Sequence, residues 1–262
     1  MIGSITACGP FAAESQPDQA SNDMVNAPAT SATDKPSSAS QSPTTSTSPT
    51  MPATADFCAG ATFCEDFEKG PQGNGLWEDF KAINGDVFAP QAPSARSGAS
   101  SLEILVTAGN EKKHSSLKRT IGNFGHVEMR FSIQIPATFG ASGHTNIAHL
   151  DFGDNEDFVA TLVGEDNEIG LVIKDKDRDY QLVNKVVASP NEWHEVKLVI
   201  DLPGAPPTAH LEIDGKDAVT RDILDTDFEA PPPVRLTLGP DYKTTEDQFL
   251  MRVDDLRIDA RD

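Results

Sequence analysis

Residues Val127-Glu128-Met129-Arg130-Phe131-Ser132-Ile133-Gln134-Ile135 put an apolar side chain at every odd position and a polar one at every even position. Successive side chains of an extended strand leave on opposite faces, so this run buries one face and hydrates the other. Pro136 ends it, since proline cannot donate to a sheet ladder. The same period of two returns at Leu102, Ile104 and Val106, at Ile169, Leu171 and Ile173, and at Val196, Leu198, Ile200 and Leu202. It returns again at Ala209, Leu211 and Ile213, at Val234, Leu236 and Leu238, and at Phe249, Met251 and Val253. Turn signals separate these runs, and Asp214-Gly215 is the strongest hairpin dipeptide among them. No window carries a helical stripe. The expected fold is all-β: a two-sheet antiparallel jelly-roll β-sandwich.

The alternation begins only after residue 55. Of the 47 residues from Gly9 to Ala55, 32 are Ser, Thr, Pro or Ala, which cannot bury enough surface to offset about 1–2 kcal/mol of ordering entropy per residue. The division expected is a disordered Ser/Thr/Pro-rich tether over 1–55 and one sandwich domain over 56–262. The tail holds four acidic residues and one basic, so the domain keeps −17 of the formal charge of −20. That charge argues against nucleic acid as a partner, because phosphate affinity comes from Lys and Arg. No stretch reaches the roughly 18 apolar residues of a membrane-spanning helix.

Ile5-Thr6-Ala7-Cys8 resembles a bacterial lipobox, in which a cysteine after small residues is lipidated following signal cleavage. The resemblance implies an exported lipoprotein of the bacterial cell envelope, at the outer membrane or cell surface, touching the membrane only through a lipid on Cys8. Only seven residues precede Cys8, too few for a signal's basic and apolar regions, so this reading puts the true start upstream of Met1. Cys58 and Cys64 open the folded region. In an exported protein they are expected to form a disulfide whose seven-residue loop contributes roughly 2–2.5 kcal/mol, leaving Cys8 odd. The alternative is a pair of buried free thiols.

Four pieces of the domain resemble the concanavalin A-like, laminin G-like jelly rolls of bacterial surface proteins. They are Phe63-Cys64-Glu65-Asp66-Phe67-Glu68 with Trp77 downstream, Trp193 to Asp201, Leu211-Glu212-Ile213-Asp214-Gly215-Lys216, and Val253-Asp254-Asp255-Leu256-Arg257-Ile258. The resemblance implies a fold that hosts lectins, glucanases, lyases and adhesion modules alike. It also implies a structural calcium where the opening segment meets the last strand, with Asp66, Glu68, Asp254 and Asp255 as the matching carboxylates. Calcium takes six to eight oxygens, a demand that two distant acidic segments with backbone carbonyls can meet. The parity of the last strand supports special geometry there: apolar residues are odd through Val253 but even from Leu256 to Ile258, so the strand must slip at Asp254-Asp255.

The other acidic clusters read as solvated turns. Asp175-Lys176-Asp177-Arg178-Asp179 has Tyr180 where a calcium loop needs glycine, and Asp151, Asp154, Glu156 and Asp157 form a second acidic turn. His144 and His149 lack a third zinc ligand and read as strand-end polar residues. A glucanase would need three acids along one strand, and Glu212-Ile213-Asp214 is cut off by its hairpin tip. A polysaccharide lyase would need a cation for the uronate and a His or Tyr to move the proton. Arg130, His149 and Tyr180 supply those residue types, but the lyase motifs around them are absent and a −17 domain repels a polyuronate. Aromatic platforms for a sugar are sought at Tyr180, Tyr242, Phe88 and Trp77. Trp193 breaks the parity of its strand. The reading that results is a surface-tethered, non-catalytic module for a glycan or protein, calcium-stabilised, with Tyr180, His149, Arg130 and Tyr242 as ligand contacts. The alternative is a lyase, with a glycoside hydrolase behind it.

Overall fold

The alternating run becomes strand β6 (His126–Gln134), and its odd residues Val127, Met129, Phe131 and Ile133 are sealed from solvent. The structure is a computed structural model that describes residues 57–70, 75–82, 87–91, 95–107, 115–136, 145–154, 158–165, 168–175, 178–223, 228–241 and 248–262. The expected tether and Cys8 lie outside these residues, as do Tyr242, His144, Glu156 and Asp157.

Two antiparallel sheets form a sandwich. Sheet I runs β13 (Lys216–Asp222), β12 (Thr208–Ile213), β11 (Trp193–Asp201), β6, β15 (Phe249–Arg261), β4 (Ser101–Val106) and β3 (Val87–Gln91), with β1 (Phe63–Glu65) also paired to β15. Sheet II runs β10 (Arg178–Val187), β9 (Glu168–Asp175), β8 (Phe158–Glu165), β7 (Thr145–Phe152), β14 (Pro233–Leu238), β5 (Ser115–Asn123) and β2 (Asp79–Ala82). Every alternating run found in the sequence is a strand.

The core fills the space between the sheets. Val127 to Ile133 of β6, Val196, Leu198 and Ile200 of β11 and Met251 and Val253 of β15 meet Ala148, Leu150 and Phe152 of β7 and Phe158, Ala160 and Leu162 of β8. Each fully buried side chain of this size contributes roughly 1.5–3 kcal/mol, so the alternation is the main reason the chain folds this way. Asp214 and Gly215 take φ values of 54° and 68° and close the β12–β13 hairpin as a tight two-residue turn. Trp193 pairs with Gln134 in unbroken register, so it points away from the core beside Glu195 and Lys197; its parity marks the outer face and no bulge.

β15 organises sheet I. One of its edges pairs with β6, while the other pairs first with β4, at Val253↔Leu102, and then with β1, at Ile258↔Phe63. Between those partners the strand bulges: Asp254 pairs with Ser132 and Arg257 with Arg130, leaving Asp255 and Leu256 against Phe131 alone. Asp255 has φ 52°, and the extra residue restores Leu256 and Ile258 to the core. The slip read from the sequence is this bulge. Next to it, Cys58 and Cys64 are disulfide-bonded with Cα atoms 5.5 Å apart. Arg257 donates to the carbonyls of Phe57 and Ala59 and bridges Asp259, clasping the disulfide loop to β15.

Candidate functional site

At the bulge the edge of β15 has neither β4 nor β1 beside it, and carboxylates stand in for the missing ladder. One oxygen of Asp254 accepts the N–H groups of Arg96 and Ser97 at 2.8 and 3.0 Å, and the other accepts the N–H of Asp255 at 2.9 Å. Asp255 accepts the Ser97 hydroxyl at 2.6 Å through Oδ1, while its buried Oδ2 has no partner. Glu68 Oε1 accepts the N–H groups of Ala99 and Ser100 at 2.7 and 3.1 Å, and Asp66 accepts the N–H of Glu68 at 3.2 Å. Glu68, Asp254 and Asp255 thus hold residues 96–100, and Asp66 acts on Asp255 through its charge. Burial raises the pKa of Asp254 to about 7, with the charge of Asp255 adding to it and the three amide donors opposing it. Burial likewise raises Asp255, with Asp66 and Glu68 adding to the effect against the Ser97 hydrogen bond and the Arg96 charge.

A second constellation occupies the outer face of sheet II. Ala148, Leu150 and Phe152 point into the core, so His149 and Asp151 of β7 leave on the opposite side. Across the sheet this face reads Asp79, Lys118, Thr237, His149, Thr161 and Val172 in one row and Thr120, Arg235, Asp151, Val159 and Lys174 in the next. Val159, Thr161, Thr237 and His149 are buried, forming a closed floor from which Lys118, Asp151 and Arg235 reach outward. His149 Nε2 lies 3.3 Å from Asp151 and 3.5 Å from Asp241, and Asp241 also accepts from Asn146 at 2.9 Å. Burial pushes the His149 pKa down, but the hydrogen bond and charge of Asp151 and the charge of Asp241 outweigh it, and the value ends above normal. The charge of Lys118 opposes the shift. Among the described residues the side chains of Lys118 and Arg235 make no hydrogen bond or ion pair.

The sequence candidates for ligand contact divide between the sheets. His149 sits mid-strand on sheet II, not at a strand end. Asp151 is a β7 residue holding His149, not part of a solvated turn; the turn begins only at Gly153. Arg130 lies on the outer face of sheet I, tied to Glu128, so it does not share a face with His149. Tyr180 belongs to β10, though its side chain and that of Phe88 in β3 fall outside the described set. Trp77 packs edge-on against Phe63 with ring centroids 5.3 Å apart and borders the core. Lys118, Arg235, Asn146 and Asp241 were not singled out from the sequence. They become neighbours of His149 only once β5, β14 and β7 are placed in register.

No model of a known protein family matches the chain, and no curated protein sequence does. Solved structures do match in fold. An endo-β-1,4-glucuronan lyase from the fungus Trichoderma reesei superposes with a TM-score of 0.59 at 13% identity, over 76% of this chain and 95% of that one. The cellulose induced protein Cip1 gives 0.57 at 15% identity, over 75% and 96%. The alginate lyase Aly36B gives 0.52 at 11% identity, over 63% and 83%. At these identities the likeness is one of architecture, an all-β jelly-roll-like sandwich.

Proposed function

We propose that the sandwich is a non-catalytic glycan-binding module that holds an acidic polysaccharide on the outer face of sheet II. The observation that carries this reading is the pair of cationic side chains, Lys118 and Arg235, that make no hydrogen bond or ion pair among the described residues, beside His149, whose pKa Asp151 and Asp241 raise against burial. On a domain of net charge −17 this face groups Lys118 and Arg235 with His149, so cationic side chains are available to a polyanion here even though Asp79, Asp151 and Asp241 stand beside them. Two of the fold's relatives are named as lyases of uronate polymers, which is consistent with such a ligand. The test is affinity electrophoresis of the full chain in gels containing alginate, glucuronan or a neutral cellulose derivative. Retardation by the uronates alone, weakened about tenfold or more by Lys118→Ala and by Arg235→Ala, is the expected result, since a charge-assisted hydrogen bond is worth about 1.5–3 kcal/mol. Binding indifferent to both substitutions overturns it.

A lyase on the same face is the second reading, favoured by His149. β-Elimination requires an unprotonated base, and the two carboxylates that hold His149 Nε2 at 3.3 and 3.5 Å raise its pKa and compete for that nitrogen. Ultraviolet absorbance from unsaturated uronate products, lost in His149→Gln, decides for the lyase.

Calcium at Asp66, Glu68, Asp254 and Asp255 belongs to the same proposal. The donors are hard oxygens, and the buried Asp255 Oδ2 without a partner is the atom a cation would engage. No three of the four bring ligand atoms within 4.8 Å of one another, so the ion would draw on backbone carbonyls as well. Bound there, calcium supplies positive charge that keeps both aspartates ionised. Calcium at 100 times its dissociation constant then stabilises the domain by about 2.7 kcal/mol, an effect absent from the Asp254→Ala/Asp255→Ala double variant. The envelope address through lipidated Cys8 is proposed with it, and fatty-acid labelling of Cys8→Ala against wild type in a bacterial host tests it.

A further inference from the structure

Glu212 of β12 and Asp217 of β13 stand directly opposite each other on the edge hairpin of sheet I. Like charges so placed destabilise a ladder. A bulge produces the arrangement: the register passes from Leu211↔Val219 to Glu212↔Asp217, making Ala218 the extra residue and turning Asp217 onto the outer face. His210, two residues before Glu212, shares that face. Its Nε2 lies 3.2 Å from Glu212 Oε1 and 3.4 Å from Asp217 Oδ1. Its Nδ1 lies 2.7 Å from the hydroxyl of Thr220, the residue paired with it across the hairpin.

This is the donor set and spacing of a transition-metal site. Imidazole nitrogen and carboxylate oxygen bind zinc at about 2.0–2.2 Å, which places two ligands of a tetrahedral ion roughly 3.3–3.5 Å apart. The separations from Nε2, 3.2 and 3.4 Å, lie just under and at that edge length, and all three ligand atoms lie within 4.8 Å of one another. The Thr220 contact orients the ring by its other nitrogen, as a supporting residue does for a metal-bound histidine. An Nε2 facing two carboxylates calls for a positive charge between them. We propose that His210, Glu212 and Asp217 bind one first-row divalent cation of the zinc type, with the fourth position left to water, and that the ion staples the β12–β13 hairpin at the sheet edge. The site is distinct from the carboxylates at the β15 bulge and is independent of the glycan reading.

Lys197 is the competitor. Its ammonium lies 2.7 Å from Glu212 Oε1, and its hydrogen bond is the main reason the Glu212 pKa is lowered. It keeps Glu212 ionised but occupies one oxygen, so a metal must share Oε1 or take Oε2, which has no hydrogen-bond partner among the described residues. If His210 is simply a protonated ring in an ion-pair cluster, removing Lys197 does nothing for zinc. If it is a ligand, removing Lys197 frees an acceptor.

The experiment is calorimetric titration of the full chain with zinc chloride near neutral pH, with cobalt(II) absorption as a second readout of coordination. The expected result is one equivalent bound, weakened at least tenfold by His210→Ala and by Asp217→Asn, and tightened by Lys197→Met. The Asp217 side chain is 86% exposed, so Asp217→Asn leaves the fold intact and isolates the ligand role. Zinc binding unchanged in both His210→Ala and Asp217→Asn places the ion elsewhere and overturns the proposal. So does the absence of binding by the folded wild-type chain.

Discussion

The Ser97 hydroxyl donates to one carboxylate oxygen of Asp255 at 2.6 Å, and the other oxygen of that buried side chain has no partner. Ser97→Ala therefore strips the one side-chain donor from a buried acceptor, a change that costs about 1–3 kcal/mol. The urea midpoint should fall accordingly at neutral pH, and an unchanged midpoint shows that Asp255 does not depend on Ser97.

Asp254 and Asp255 set a pH dependence of defined sign. Both carboxyls hold a proton more tightly folded than unfolded, so their contribution is fully present below the ordinary value of 3.8 and is lost as pH rises through the folded value, about 7 for Asp254. The readout is the difference between wild type and Asp254→Asn in denaturant midpoints across that window. Wild type should lose stability with rising pH relative to the variant; parallel curves contradict the burial of that charge.

The disulfide makes a smaller, separable contribution. Cys58→Ala/Cys64→Ala should cost roughly 2–2.5 kcal/mol, or about 4–10 °C in Tm for a domain of this size, without loss of folding. The Arg257 contacts to the Phe57 and Ala59 carbonyls remain to hold the loop. Calorimetry of both forms, with and without reductant, checks this, since reductant should move wild type alone.

Gly98 and Gly60 offer a matched comparison of backbone against space. Both have positive φ, 59° and 75°, but a Cβ on Gly98 would fall 2.0 Å from Glu68 Oε1 while one on Gly60 meets nothing within 4 Å. Alanine at either position carries the strain of the left-handed region, on the order of 1–2 kcal/mol. Gly98→Ala must also displace Glu68 from the Ala99 and Ser100 amides, so it should be the worse by about 1–3 kcal/mol in thermal unfolding.

How much of this was legible in the sequence follows from what each residue faces. Strands such as β6 and β11 alternate because one face meets the core, and the pattern records it. β5 sends only Leu117 fully into the core among Ser116, Lys118, Arg119 and Thr120, so it has no period to read. The slip at Asp254-Asp255 was visible as broken parity. The Arg96 and Ser97 amides it holds were not, since residues 96–100 lie in an irregular loop. Asp151 looked like a turn because Gly153 and Asp154 follow it, yet pairing with Val159 and Arg235 carries β7 through Phe152. Lys118 and Arg235 come from strands more than 100 residues apart in sequence, and only the register of β5 on β14 makes them neighbours.

The last strand has a consequence for how the chain acquires its shape during synthesis. β15 is the shared neighbour of β6, β4 and β1, joining Ile133, Leu102 and Phe63 through Val253 and Ile258. While residues 249–261 are still within the ribosome, the facing edges of β6 and β4 stay open and the opening segment has no strand to lie against. Pairings this remote in sequence form slowly, and unpaired apolar edges attract other chains. The polypeptide is thus most open to self-association until residues 249–261 have joined the sheet, and a chaperone that shields strand edges would act in that interval.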